Sequence, residues 1–128
     1  SRCRLNVDFE TLMMIDSLEM NGSHIEKIIS KCKSSSSDKI IITHGTDRIV
    51  QTAKKLEKAD LNKKTIILTG AMIPYAFGSS SDGFFNLGCA LSFVQSLPNG
   101  IYITMQGQYF SPNNVKKNKE KGVFEKIN

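Results

Sequence analysis

Short runs of β-branched apolar residues, separated by segments of helical periodicity, constrain the fold of this chain more than any other feature. The runs predict strands at residues 39–43, 65–69 and 101–105. The first of them is apolar on both faces, which is typical of a central strand in a parallel sheet. Strands that alternate with helices imply right-handed crossovers, so the sequence predicts an α/β fold in which these three parallel strands are adjacent and flanked by helices.

Three helices are predicted between and before these strands. Ser23 to Glu26 has the spacing of a capping box with Ser23 as the N-cap, and apolar residues recur behind it with the helical period up to Cys32. A second helix opens at Asp47. The third starts at Asp82 and is apolar around most of its circumference, which is typical of a helix packed on two sides.

Length and charge limit the class of protein. The 128 residues fit a single domain, 1–128, and no apolar run approaches the roughly 18 to 20 residues that cross a bilayer. Seventeen Lys and Arg residues against twelve Asp and Glu give a net charge of +5, which invites a nucleic-acid role. Much of that excess lies within residues 116–121, and no nucleic-acid motif accompanies it. We therefore expect a solvated basic surface, with no nucleic-acid and no membrane partner.

The cysteines indicate the compartment. Cys3, Cys32 and Cys89 are odd in number, widely spaced and without a C-x-x-C pair, which argues against disulfides and against a zinc site. The first residues also lack the apolar segment of a signal peptide. These features predict a cytoplasmic protein without a bound metal.

Ligands of parallel sheets bind beyond the carboxyl ends of the strands, which selects the loops at 43–47, 70–82 and 106–117. In the first loop Gly45 permits a sharp turn, and Thr46 and Asp47 precede a helix whose first amides face an incoming polar group. The commoner explanation is that Thr46 or Asp47 only caps the helix. His44 is more readily structural than a base. Phosphate-binding glycine motifs are missing from the sequence, so no nucleotide cofactor is expected.

Four short motifs, in order, resemble those of the bacterial-type L-asparaginases. They are D-S-x-x-M at 16–20, H-G-T-D at 44–47, G-A-M-x-P at 70–74 and D-G-x-x-N-L at 82–87. Each is weak alone, but the ordered set is specific and, with the segment around Lys117, covers residues 16 to about 117. The length is most similar to that of the small, single-domain members. The resemblance implies a Rossmann-like fold of the asparaginase N-terminal domain type.

The activity implied by the resemblance is hydrolysis of L-asparagine to L-aspartate and ammonia, with glutamine as an alternative substrate and no cofactor. In the family one threonine attacks the amide, and a second is activated by a lysine and an aspartate. By motif match the second threonine is Thr46, the aspartate is Asp47 and the lysine is Lys117.

The same resemblance implies the contacts that hold the substrate. Asp47 would bind the α-amino group and Ser17 the α-carboxylate. Gly45 and Thr46 would line the site, and a backbone group of Ala71 would lie near the leaving amide.

The family's T-G-G-T-I segment, which carries the attacking threonine, does not occur in the sequence. The chain is therefore expected to be N-terminally truncated relative to the family. One alternative function is a catalytically incomplete domain that binds an amino acid or a partner chain, and another is a relative of nucleic-acid-associated amidotransferases. The apolar third helix also predicts a homo-oligomer, with a dimer favoured.

Overall fold

The computed structural model describes residues 21–61, 63–73 and 81–128, so the predictions made for Cys3 and Ser17 lie outside the described residues. The described residues include the helices α1 (Gly22–Ser34), α2 (Ile49–Glu57) and α3 (Gly83–Ser96). They also include the strands β1 (Lys39–Thr43), β2 (Thr65–Thr69), β3 (Gly100–Met105), β4 (Gln108–Phe110), β5 (Lys116–Asn118) and β6 (Val123–Glu125). The order of β1 to β3 and the helices between them confirms the predicted α/β fold.

The main sheet has the strand order β1-β2-β3-β4. Its first three strands are parallel and in direct register, with Lys39 opposite Thr65 and Thr65 opposite Gly100. The fourth strand runs antiparallel to β3, so the sheet is mixed rather than wholly parallel as predicted. The reason is the two-residue turn at 106–107, which returns the chain beside β3 without a crossover.

Helices cover both faces of this sheet, and the alternation of side chains along β2 shows how. Ile66 and Leu68 pack into the larger core with α1 and α2, whereas Ile67 packs with Ala90 and Val94 of α3. Every residue of β2 is buried, as expected for a strand with neighbours on both edges and both faces.

The start of α1 differs from the predicted capping box. The N-cap is Asn21, whose side chain accepts hydrogen bonds from the backbone N–H groups of Ser23 and His24. The His24 ring completes the box, because its Nδ1 accepts from the Asn21 N–H at 3.1 Å. Asn and Ser are comparably good N-caps, and the earlier of the two candidates begins the helix.

The third helix buries one face, and the residues that it buries are Gly83, Asn86, Ala90 and Val94. Within the described residues the sheet covers one side of the helix, and the predicted second apolar side is uncovered, since Phe84 is 71% exposed and Phe85 is 60% exposed. An exposed apolar patch therefore lies on the outer side of α3.

The last part of the chain forms a small second sheet that the sequence did not predict. Strands β5 and β6 pair antiparallel, with Lys117 opposite Phe124. Val115 and Phe124 are each 2% exposed and belong to the larger core, so the hairpin is packed against the domain. No helix within the described ranges is long and apolar enough to cross a bilayer.

Candidate active site

Two residues that follow β1 and one residue of β5 meet at the carboxyl end of the parallel strands. The Lys117 Nζ donates to Thr46 Oγ1 and to Asp47 Oδ1, at 2.8 Å in both cases. The lysine side chain is 17% exposed and the aspartate side chain 32% exposed. A cation, a hydroxyl and a carboxylate thus form one connected cluster at the rim of the domain.

The geometry of α2 bears on the alternative that Thr46 or Asp47 is only a helix cap. The N-cap is Arg48, and its side chain makes no capping hydrogen bond. Both candidates lie before the cap and contact Lys117 instead. The capping explanation is therefore wrong, and the local sequence could not exclude it because Lys117 lies 70 residues beyond Asp47.

His44 is held on both ring nitrogens. Its Nδ1 lies 2.7 Å from the Gly45 carbonyl oxygen, and its Nε2 lies 2.9 Å from Thr52 Oγ1. A carbonyl only accepts, so Nδ1 carries the proton and Nε2 of the neutral ring accepts from the Thr52 hydroxyl. Burial lowers the pKa of His44, which favours this neutral form. As predicted, His44 is a structural residue that shapes the turn before Thr46.

Close packing joins this turn to the loop after β2. The His44 N–H donates to the Thr69 carbonyl at 2.8 Å. A Cβ on Gly70 would lie 2.2 Å from the His44 carbonyl oxygen and 3.3 Å from the Thr46 Cγ2. Only glycine therefore permits this approach, which places Thr46 against the start of the 70–73 segment.

Asn86 and Asp82, at the start of α3, hold the 70–73 segment. Asn86 is fully buried, and its Nδ2 donates to the Gly70 carbonyl at 2.8 Å and to Asp82 Oδ2 at 3.1 Å. The Asp82 carboxylate accepts from the Met72 N–H at 3.1 Å and the Ile73 N–H at 2.9 Å. Neither residue was predicted to shape the site. The available signal was a polar Asn on the buried face of an otherwise apolar helix.

The two aspartates differ in what controls their charge. The hydrogen bond from Lys117 lowers the pKa of Asp47, and the charges of Lys117, Lys119 and Arg48 add to this effect against a smaller opposing effect of burial. For Asp82, burial raises the pKa, but hydrogen bonds from the backbone N–H groups of Ile73, Met72 and Asp82 and from the Asn86 side chain together outweigh it, so the pKa is lowered. Both carboxylates are therefore ionised at neutral pH.

The remaining predicted site residues lie as follows. Gly45 is exposed on the turn, and its carbonyl accepts from His44. Ala71 is half-buried and adjoins Gly70, which contacts His44 and Asn86. Ser17 lies outside the described residues. Within the described ranges, no three His, Cys, Asp or Glu side chains form a group that could hold a metal ion.

Comparisons with known proteins agree with this arrangement. The family model described as the N-terminal domain of asparaginase matches residues 2–126. A glutaminase-asparaginase of Pseudomonas fluorescens biotype A is 32% identical over 119 residues, which cover 88% of this chain and 33% of the relative. L-asparaginase 2 of Escherichia coli K12 is 30% identical over 132 residues, covering 96% of this chain and 37% of the relative. The chain thus spans about a third of the length of these relatives.

The fold and the cluster together define an α/β domain with a polar site at the carboxyl ends of its parallel strands. With the family model matching nearly all of its length, the chain belongs to the asparaginase family and corresponds to the N-terminal domain of its members.

Proposed function

We propose that the chain supplies the proton-transferring part of an amidohydrolase that converts L-asparagine to L-aspartate and ammonia. The observation that carries the proposal is the position of Lys117 Nζ, 2.8 Å from both Thr46 Oγ1 and Asp47 Oδ1, in a member of the asparaginase family. A lysine in contact with a hydroxyl and a carboxylate can transfer a proton to and from that hydroxyl.

The cluster can move a proton in either direction. In the ammonium form, Lys117 donates to Thr46 Oγ1, so the threonine hydrogen is directed elsewhere and can be given to a water molecule or to the substrate. In the neutral form, the lone pair of Lys117 accepts the hydrogen of Thr46 and leaves an activated oxygen. Asp47 compensates the positive charge each time that the lysine is protonated.

The same groups suit an amino acid substrate. Asp47 is ionised and part-exposed, so it can accept a hydrogen bond from the α-amino group of asparagine. Gly45 adjoins Thr46, and Ala71 adjoins Gly70, whose added Cβ would lie 3.3 Å from Thr46 Cγ2. We assign backbone groups of Gly45 and Ala71 to the side-chain amide of the substrate. Ser17 is assigned to the α-carboxylate on the strength of its motif alone.

We assign the attack on the amide to a second threonine on a segment that pairs with β1. Within the described ranges, β2 is the one strand that pairs with β1. Ile40 to Ile42 are only half-buried, whereas all of β2 is buried. Another strand beside β1 would cover these residues and bring its end next to Thr46.

Ammonia release from L-asparagine and from L-glutamine tests the proposal. It is measured on the 128-residue chain and on the chain extended at its N-terminus by a T-G-G-T-I segment. We expect little turnover by the first and turnover by the second. Lys117→Met in the active form should lower kcat/KM by about 100-fold or more, as expected for loss of a general acid or base.

Lys116→Met is the matched control, because Lys116 adjoins Lys117, its side chain is 58% exposed, and its Nζ lies 3.7 Å from Glu125 Oε1. This variant should leave kcat/KM within about twofold, since exposed ion pairs contribute little. Equal losses in both lysine variants, or none in Lys117→Met, contradict the role of Lys117. Binding of asparagine without turnover in any extended form favours the alternative of a catalytically incomplete binding domain.

We also propose that the protein is a homodimer that uses the outer side of α3. Phe84 and Phe85 are 71% and 60% exposed, and together with Cys89 and Phe93 they line a shallow apolar depression. Burying two large aromatic side chains in a symmetric contact removes this apolar surface from water. Light scattering should give twice the monomer mass at tens of micromolar, and the monomer mass for Phe85→Glu.

A cytoplasmic location remains a proposal based on cysteine usage. Cys32 and Cys89 are free thiols, in agreement with a reducing compartment. One relative, from Haemophilus influenzae, carries the name probable L-asparaginase periplasmic, and it is 33% identical over 119 residues. Fractionation of the native organism distinguishes the two compartments.

A further inference from the structure

The turn between β3 and β4 contains an unusual residue. Met105 pairs with Gln108, which leaves Gln106 and Gly107 as a two-residue loop with φ angles of 59° and 76°. Two positive φ angles define the type I′ turn, for which Asn-Gly is the preferred sequence. Gln rarely adopts this conformation, and such backbone strain is concentrated at functional sites.

Both polar atoms of the Gln106 side chain bond to one distant residue. Its Oε1 accepts from the Phe124 N–H at 2.5 Å, and its Nε2 donates to the Phe124 carbonyl at 2.9 Å. Both partners belong to the backbone of β6, 18 residues further along the chain. The amide therefore occupies the place that a neighbouring strand would take beside Phe124.

Phe124 is also the residue directly opposite Lys117 in the β5–β6 pair. Residues directly opposite in an antiparallel pair lie about 5 Å apart, so the position of Phe124 sets the position of Lys117. Strands of three residues have few backbone hydrogen bonds of their own, and the Gln106 amide adds two to β6.

The two hydrogen bonds between the Gln106 side chain and the Phe124 backbone form a clamp, and Asn86 connects this clamp to the other side of the site. The Gln106 N–H donates to Asn86 Oδ1 at 3.2 Å, and the Nδ2 of the same Asn86 donates to the Gly70 carbonyl at 2.8 Å. The hairpin that carries Lys117 and the segment that carries Ala71 are thus tied to a single buried side chain of α3.

We propose that Gln106 is a positioning residue, whose side-chain amide holds the β5–β6 hairpin where Lys117 reaches Thr46 and Asp47. The inference rests on the proposed function in one respect, that the Lys117 contacts serve catalysis. The positioning of the hairpin by Gln106 is a matter of geometry, so it can be tested without measuring turnover.

Gln106→Asn separates this role from a role in the turn alone. Asn is favoured at positive φ, so it preserves or improves the turn, but it is one methylene shorter and cannot reach both backbone atoms of Phe124. The matched control is Gln108→Asn, which makes the same change on an exposed residue of β4 two positions away.

The measurement is the NMR titration of the Asp47 carboxyl in the 128-residue chain. The charged groups that act on Asp47 are Lys117, Lys119 and Arg48, and the first two lie on the hairpin or its loop. We expect Gln106→Asn to raise the Asp47 pKa towards about 3.9, the value of an exposed aspartate, and Gln108→Asn to leave it unchanged. An unchanged titration in Gln106→Asn overturns the proposal.

A second measurement does not depend on the folding of a variant. In the unmodified chain, the Phe124 amide should exchange its hydrogen slowly, because Gln106 Oε1 accepts it. Exchange as fast as that of the exposed Lys126 amide overturns the clamp. If the Asp47 titration moves in Gln106→Asn while no extended form hydrolyses asparagine, the proposed function fails and the positioning role stands.

Discussion

The site joins two regions that are held in place by different forces. Thr46 and Asp47 follow β1, whose backbone pairs with β2 along its whole length above a core of fully buried residues such as Leu68. Lys117 lies on a hairpin of two three-residue strands. Apolar packing of the sheet fixes the first region. The second region is fixed by the buried side chains of Val115 and Phe124 and by a few hydrogen bonds between side chains and backbone.

This difference implies a division between stability and activity. The sheet buries most of the apolar surface and should carry most of the free energy of folding. The hairpin contributes Phe124 as its one buried side chain, and it delivers the charge that completes the cluster. Substitutions in the sheet should therefore change the free energy of unfolding, and substitutions in the hairpin should change the geometry of the site.

Leu68→Ala should have the largest effect on stability. The side chain is fully buried in β2, so its truncation removes apolar contacts and leaves a cavity. We expect a loss of about 2–5 kcal/mol in the free energy of unfolding, measured by urea denaturation. Ile127→Ala, at a residue 53% exposed near the chain end, is the control and should stay within about 0.5 kcal/mol. Similar losses of stability at both positions would contradict the proposal that the sheet carries most of the free energy of folding.

Asp47→Ala should act in the opposite way, with a large effect on activity and a small one on stability. It leaves the ammonium of Lys117, which is only 17% exposed, without its carboxylate partner and removes the proposed contact with the substrate. In a catalytically active form we expect a loss of about 3 kcal/mol or more in transition-state stabilisation, roughly 100-fold in kcat/KM. A near-normal kcat/KM in this variant would refute the assigned role.

Two Gly→Ala substitutions test the comparison, because each adds a single methyl group at a different place in the fold. Gly70→Ala brings a Cβ to 2.2 Å from the His44 carbonyl, so the turn before Thr46 must move, and we expect a loss of about 1–3 kcal/mol in stability. Gly22→Ala places its Cβ in open space at the start of α1 and should stay within about 0.5 kcal/mol. Thermal unfolding of both variants measures these changes in stability. A Gly70→Ala variant more stable than the unmodified chain would show that the turn before Thr46 accommodates the added methyl group.

The sequence was sufficient to predict the three parallel strands because their signal is local. The run at residues 65–69 fits a buried strand and little else, and it is buried along its whole length. The run at residues 39–43, predicted as a central strand, lies at the end of the described sheet and is half-buried. The N-cap of α1 was misassigned because Asn21 and Ser23 are both suitable caps two residues apart, and the His24 ring takes the part expected of Glu26. The local pattern predicted the helix α1 but not which of two suitable caps begins it.

The hairpin lay beyond prediction because what stabilises it is distant in the sequence. Strands β5 and β6 have only three residues each, β5 is wholly polar, and the Gln106 amide that holds β6 belongs to a turn 18 residues earlier. For the site, the motif resemblance named Thr46, Asp47 and Lys117, whose side chains the structure brings together. It includes Asn86 as a motif position but assigns it no role, and it does not include Gln106, because each matters through atoms that only the folded chain brings near.

The smallest expected effect is on the stability of the chain in acid. The Asp47 pKa is lowered in the folded state, above all by the hydrogen bond from Lys117, so its contribution to stability is fully present above about pH 4 and is lost as the pH falls through the lowered value. Because the aspartate is 32% exposed, solvent screening limits this contribution to about 1 kcal/mol or less. Urea denaturation between pH 6 and pH 2.5 should show a shallower decline for Lys117→Met than for the unmodified chain, and an unaltered decline for Lys116→Met. If both lysine variants decline like the unmodified chain, the ion pair adds nothing to folding, and the hairpin contributes to the site alone.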